Sequence, residues 1–144
     1  MCNTKEKRLP RGLRNNNPGN IRISSTKYLG EMQPSQDTAF KQFKSIEWGY
    51  RAIFVLLNHY YHKRGLKTIR QIINRYAPPS ENDTNGYINQ VASICFRSAD
   101  EEIDITNQEE MVLLVAAISR VENARVANID DVQRGWNLYI TYKP

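Results

Sequence analysis

Five segments of the chain repeat their apolar residues at spacings of three and four, which is the period of an amphipathic helix. They cover about residues 48–63, 68–76, 84–95, 106–121 and 130–139. Turn signals such as Gly65 and Pro78-Pro79 separate them. The alternating stretches 20–24 and 39–44 come first and are predicted to pair as a small ribbon. The pattern predicts a mainly α (α+β) fold of five helices with a small β or irregular N-terminal part.

Cap residues suggest where these helices begin. Thr68 is predicted to cap the second helix, and Thr106 with Glu109 has the spacing of a capping box for the fourth. Asp130 or Asp131 is predicted to begin the fifth helix. The buried face of the first helix is predicted to carry Trp48, Ala52, Val55, Leu56 and Tyr60.

Composition limits the class of protein. A length of 144 residues fits one domain, and we assign residues 1–10 to a basic flexible arm and residues 11–144 to a single domain. No apolar run approaches the roughly 18–20 residues that cross a bilayer, so we expect no membrane insertion. Cys2 and Cys95 cannot form a disulfide framework or a zinc site. We find no cofactor motif and expect no cofactor.

The net charge of +5 favours an anionic partner, such as nucleic acid, anionic lipid or a bacterial wall polymer. Much of the excess lies in the first fourteen residues, which contain no aromatic residue. Nucleic-acid binding is therefore not expected, because such segments usually combine basic with aromatic side chains or carry a known motif.

Three consecutive asparagines precede Pro18-Gly19 and Asn20. Pro18-Gly19 suits the centre of a type II turn, and Asn side chains commonly complete such turns. Carboxamides also donate and accept hydrogen bonds at once, which suits sugar hydroxyls and N-acetyl groups. A structural turn and a sugar-binding loop both remain open from these residues.

Glu122 continues the buried stripe of the fourth helix, because Met111, Val115, Ile118 and Glu122 follow at steps of four, three and four. Burial and the helix C-terminus both disfavour the carboxylate and would raise its pKa. A carboxylic acid that stays protonated near neutral pH is what a general acid for glycosidic cleavage requires. The alternative is an exposed Glu at a frayed helix end, paired with Arg120 or Arg125.

Glu81 is the second candidate carboxylate. It stands just before the third helix, whose positive N-terminal end would favour the ionised side chain. Capping by Asn82, Asp83 or Thr84 is the alternative explanation for this polar loop. His59 and His62 are three residues apart on a helix, but a third metal ligand is not evident and we expect no metal site.

Three blocks resemble one protein family. The string Arg-Gly-Leu-Arg-Asn-Asn-Asn-Pro-Gly-Asn-Ile-Arg (residues 11–22) resembles the opening of a lysozyme-like family of phages and prophages, described as virion or structural protein P5-like. The block Ala77-Pro78 to Glu81-Asn82 and the pair Glu122-Asn123 resemble its central and late segments. That family usually has Gly after the late pair, whereas this chain has Ala124.

The resemblance implies a lysozyme-like fold and cleavage of peptidoglycan. The chain is also distantly similar to the glucosaminidase branch of the lysozyme superfamily, in which the catalytic Glu precedes an Asn-rich block. Here Glu122 follows that block, so we expect a circularly permuted arrangement.

In this interpretation Glu122 protonates the leaving oxygen of a β-1,4 bond, and Glu81 stabilises the oxocarbenium charge or positions water. Without a second carboxylate nearby, the N-acetyl group of the substrate would attack, as in a lytic transglycosylase. The sugar groove is predicted to be lined by Asn17, Asn20, Arg22, Asn82 and Tyr87.

Residues 1–14 lack the apolar region of a secretory signal, so we expect synthesis in the cytoplasm and action at the cell wall after delivery. A holin, a phage particle or a contact-dependent secretion apparatus could deliver the protein, and an immunity protein would accompany an antibacterial toxin. The alternative function is that of a non-catalytic virion or wall-binding structural protein on the same fold.

Overall fold

The computed structural model describes residues 9–144, and six helices form its frame. They are α1 (Arg11–Arg14), α2 (Ile46–Arg64), α3 (Ile69–Tyr76), α4 (Thr84–Cys95), α5 (Gln108–Asn123) and α6 (Ile129–Thr141). The five predicted helices correspond to α2–α6, so the mainly helical prediction is confirmed. Most of the predicted arm, residues 1–8, lies outside the described residues.

The predicted ribbon is reduced to an isolated bridge between Arg22 and Phe40, and residues 9–144 contain no longer strand. Ile23 N donates to Ala39 O at 3.0 Å, and Lys41 N donates to Ile21 O at 2.9 Å. The two stretches therefore pair as predicted but too briefly for a sheet.

The caps of α3, α5 and α6 agree with the sequence at one position and differ at two. Thr68 accepts a hydrogen bond from Gln71 N and caps α3 as predicted. Asn107 rather than Thr106 caps α5, by accepting a hydrogen bond from Glu110 N, and the Thr106 hydroxyl donates to Asp104 Oδ1 at 2.6 Å. Asn128 rather than an aspartate caps α6.

Helix α2 is the centre of the core, but its buried face differs from the predicted one. Trp48, Val55 and Leu56 are only partly buried. The buried set is Gly49, Tyr50, Arg51, Ala52, Ile53, Phe54, Leu57 and Tyr60. Helix α6 covers this face, and the Phe54 ring meets the Trp136 ring edge-on at 5.2 Å between centroids. The prediction is confirmed for Ala52 and Tyr60, whereas Trp48, Val55 and Leu56 only pack against the edge of the core. Helix α2 is apolar around most of its circumference, and a helical period cannot choose between two apolar sides.

The N-terminal segment is fixed to the loop before α2 by Asp37. This carboxylate accepts two hydrogen bonds from the Arg11 guanidinium and a third from Asn15 Nδ2 at 3.0 Å. The Arg11 contact holds the pKa of Asp37 well below its usual range, with help from the backbone N–H of Ala39. Among residues 9–144, no helix combines the length and apolar character needed to cross a membrane.

Candidate active site

A cleft with a volume of about 340 Å³ opens beside the C-terminal end of α5. The loop after α1, the loop before α4 and the end of α5 border it. Five of the seven residues predicted for the site line this cleft: Asn20, Arg22, Glu81, Asn82 and Glu122. Such a volume lies at the lower end of the range that ligand clefts usually have.

Glu122 is half-buried in the cleft wall, and both of its carboxylate oxygens accept hydrogen bonds. Asn20 Nδ2 donates to Oε1 at 2.8 Å, and the Tyr87 hydroxyl donates to Oε2 at 2.9 Å. No Lys or Arg of residues 9–144 forms an ion pair with Glu122. The carboxyl group is thus held by neutral donors, and the predicted alternative of an exposed, ion-paired Glu does not fit.

Burial raises the pKa of Glu122 above its usual value. The hydrogen bonds from Asn20 and Tyr87 and the positive charge of Arg22 act in the opposite direction, but burial prevails. Tyr87 stays a neutral donor at physiological pH, because burial raises the pKa of its hydroxyl well above 10. The Glu122 carboxyl group therefore binds a proton more readily than an exposed Glu does.

Asn20 reaches Glu122 because its backbone adopts the left-handed conformation, with φ at +49°. Asparagine tolerates this conformation better than most residues. A Cβ on Gly12 would lie 2.7 Å from Asn20 Oδ1 and 2.6 Å from Asn123 Oδ1. Only glycine leaves room for these two amides to converge on α1.

Asn123, next to the catalytic candidate, holds the same loop. Its Nδ2 donates to Pro18 O at 2.8 Å and to Ser119 O at 2.9 Å, and the side chain is buried. The Tyr76 hydroxyl donates to Gly19 O from the other side of the loop. The sequence analysis assigned no role in the site to Asn123 or Tyr76. The signal in the sequence was that each of these side chains ends in a polar group, which needs a hydrogen-bond partner when it is buried.

Two predicted ligand contacts need correction. Asn17 is fully buried, and its amide is used by the backbone: Nδ2 donates to Ile21 O and Lys41 O, each at 2.9 Å, while Oδ1 accepts from Ile21 N. It shapes the loop and does not line the cleft. Tyr87 is also buried and contacts Glu122 instead of open space. It is therefore a positioning residue for the carboxyl group.

The predicted type II turn is also wrong. Asn20 N donates to Asn17 O at 3.0 Å, so Pro18 and Gly19 do occupy the centre of a turn. Gly19 lacks the positive φ that a type II turn requires, and the left-handed residues are Asn16 and Asn20. Gly19 is needed for space instead, because a Cβ there would collide with the Tyr76 hydroxyl.

Glu81 and Asn82 lie in an exposed turn that precedes α4, on the rim of the cleft. Asp83 is the residue that caps α4, through a hydrogen bond from Gly86 N at 3.1 Å to Oδ1. Capping therefore accounts for Asp83 but leaves the Glu81 side chain available to the cleft.

Ala124 ends α5 in the left-handed conformation, with φ at +52°. A glycine would adopt this conformation without a steric cost, whereas alanine does not. Ala124, where the resemblance leads one to expect glycine, is therefore the residue that ends α5. His59 and His62 belong to no group of three or more metal-binding side chains within residues 9–144.

A comparison with known proteins identifies the relatives of the chain. No family model matches it. It is 36% identical over 135 residues to Protein P5 of Pseudoalteromonas phage PM2, and the match covers 90% of this chain and 82% of that protein. The chain belongs to the Protein P5 family. The relative is a phage protein, which agrees with the phage family that the sequence motifs resemble.

The alignment of this P5-family protein with Protein P5 covers more than the residues of the cleft. A match over 90% of the chain must extend into the helical frame as well as the loops. The similarity therefore concerns the whole fold, and the chemistry of the cleft has to be argued from its own residues.

Proposed function

We propose that this P5-family protein cleaves the β-1,4 bonds between the N-acetyl sugars of peptidoglycan, with Glu122 as the general acid. The observation that carries the proposal is the Glu122 carboxyl group, which faces a cleft, has a raised pKa and is held by two neutral donors. Glycosidic cleavage needs a protonated carboxyl group at the leaving oxygen. The resemblance of residues 11–22 and 77–82 to a lysozyme-like family supports the same chemistry.

Glu81 is the second carboxylate of the proposed mechanism. It lines the same cleft from an exposed turn. It would stabilise positive charge on the sugar ring or position a water molecule. Asn20 has a different role: its amide is bonded to Glu122, so it positions the acid as well as bordering the sugar site.

The test is a digest of purified peptidoglycan by the wild type and by Glu122→Gln, with the released fragments analysed by mass spectrometry. Loss of a general acid is expected to lower the rate by about 10²-fold or more. Glu109→Gln is the matched control, because Glu109 is exposed in the first turn of the same helix. Anhydro ends on the products would identify a transglycosylase, and reducing ends a hydrolase.

Glu81→Gln extends the experiment to the second carboxylate. A hydrolase that uses both groups is expected to lose most of its rate, whereas a transglycosylase that relies on the N-acetyl group is expected to keep most of it. Equal release by the wild type and Glu122→Gln would exclude Glu122 as the acid. A folded wild type that releases nothing would instead favour a non-catalytic virion or wall-binding protein.

A further inference from the structure

The cleft does not end at the sugar-binding residues. Ile21, Leu56 and Tyr60 line both the cleft and a second groove of about 330 Å³, so the two spaces adjoin along the side of α2. The second groove is bordered further by Ser24, Thr26, Tyr28, His59, Arg64 and Arg75. We call it the basic groove. A ligand bound at Glu122 would have to pass Ile21, Leu56 and Tyr60 to reach the basic groove.

The charged side chains that line the basic groove are Arg64 and Arg75, and no Asp or Glu lines it. Both arginines are exposed, and neither forms an ion pair with any carboxylate of residues 9–144. Among the other exposed arginines, Arg11 and Arg70 are paired with aspartates. Arg22 and Arg120 form no ion pair within residues 9–144, but they do not line the basic groove. The guanidinium groups of Arg64 and Arg75 are therefore available to an anion from outside.

Both arginines lie close to the junction with the cleft. Burial raises the pKa of the Tyr60 hydroxyl, and the positive charges of Arg75 and Arg64 oppose that rise. Their effect on Tyr60 places positive charge beside a residue that borders both spaces. Nearby, Lys41 is neutralised by Glu31 at 3.0 Å and contributes little net charge.

We propose that the basic groove binds the carboxylates of the peptide that is attached to the sugar chain of peptidoglycan. This proposal rests on the proposed function and names the part of the substrate that the groove recognises. Acetylated sugars within a glycan strand are neutral, whereas the attached peptides carry carboxylates. A guanidinium binds a carboxylate through two parallel hydrogen bonds, which gives orientation as well as affinity.

The test measures binding and does not require cleavage. Titration calorimetry on Glu122→Gln would compare a disaccharide-tetrapeptide, the same disaccharide without its peptide and a neutral chito-oligosaccharide. In the background of Glu122→Gln, replacement of Arg64 and Arg75 by Gln is expected to weaken binding of the peptide-bearing probe about tenfold or more. Binding of the neutral probe should change less than about twofold. Arg120→Gln is the control, since Arg120 is exposed and lines neither space.

Three outcomes would overturn the proposal. They are an unchanged affinity for the peptide-bearing probe, an equal loss for the neutral probe, and an equal loss for the disaccharide whose only anion is its lactyl carboxylate. The free tetrapeptide separates this proposal from the function of the cleft. If that peptide binds through Arg64 and Arg75 but the wild type cleaves nothing, the proposed role of the basic groove is supported and the proposed glycosidase activity is contradicted.

Discussion

A carboxyl group can act as an acid at neutral pH only when its surroundings oppose ionisation. Burial does this at Glu122, and the hydrogen bonds from Asn20 and Tyr87 limit the effect while they fix the orientation. The spacing of the apolar residues along α5 was enough to predict that Glu122 is partly buried. The two donors could not be predicted, because they come from residues 102 and 35 positions away and meet Glu122 only after the helices pack.

Tyr87→Phe tests how the donors adjust this acid. The variant keeps the buried ring but removes a hydrogen bond that favours the carboxylate, so the pKa of Glu122 should rise further. Activity on peptidoglycan falls as pH rises through the pKa of a general acid, and we expect this limb of the pH profile to move to higher pH. The maximal rate should fall by about tenfold or less.

The control for Tyr87→Phe is Tyr61→Phe, because Tyr61 is partly buried on α2 and does not line the cleft. Its pH profile should match that of the wild type. A limb that stays in place, or moves to lower pH, in Tyr87→Phe would contradict the assignment of Glu122 as the acid.

At the scale of the helices, α2 and α5 end in the same backbone conformation with different residues. Gly65 ends α2 with φ at +65°, and Ala124 ends α5 with φ at +52°. Because a left-handed alanine costs about 1 kcal/mol or more, Ala124→Gly should raise the free energy of unfolding by about 1 kcal/mol. Gly65→Ala should lower it by a similar amount, since a Cβ there would meet nothing within 4 Å.

Denaturant unfolding of the two variants and the wild type would measure both changes. The two variants are expected to change the free energy of unfolding in opposite directions. A general destabilisation by mutation would lower it in both and could not give this result. A loss of stability in Ala124→Gly would show that the Ala124 methyl group makes contacts worth more than the backbone strain.

The sequence predicted the existence of the helices better than their ends and faces. The end of α2 at Gly65 and the cap of α3 at Thr68 follow from residues with strong local preferences. Thr106 and Asn107 have similar capping preferences, so these residues alone do not predict that the cap of α5 is Asn107. The sequence also could not predict which asparagine of residues 15–20 has which role. The Asn17 side chain bonds the backbone of its own loop, whereas the Asn20 side chain bonds Glu122 on α5.

At the scale of the whole molecule, the candidate site joins two distant parts of the chain. Asn20 bonds Glu122 across 102 positions, and Asn123 bonds the carbonyl of Pro18 across 105. Neither contact can form until α5 packs beside the N-terminal loop. The site is therefore a product of the complete fold. Under the proposed function, the positive charges of Arg22, Arg64 and Arg75 in this part of the molecule would attract an anionic wall polymer.

The stability of the whole molecule should carry a pH-dependent signature of the site. The folded protein raises the pKa of Glu122, so it favours the protonated side chain, and this contribution to stability is present at low pH and lost as pH rises through the raised pKa. Glu122→Gln removes the ionisation. Its amide can satisfy both neighbours, because a Gln side chain donates as well as accepts and a tyrosine hydroxyl can do either.

Thermal unfolding should therefore show a higher Tm for Glu122→Gln than for the wild type at pH 7, by about 2–4 °C for each kcal/mol of charge burial that is relieved. The difference should shrink towards zero as pH falls below the ordinary value of 4.5, where the wild-type side chain is already neutral. Glu109→Gln is the control, because Glu109 is exposed on the same helix. A lower Tm for Glu122→Gln at pH 7 would mean that the ionised carboxylate stabilises the fold. Glu122 would then serve structure at the expense of acid catalysis, because a site built for a general acid gives up stability to keep a proton near neutral pH.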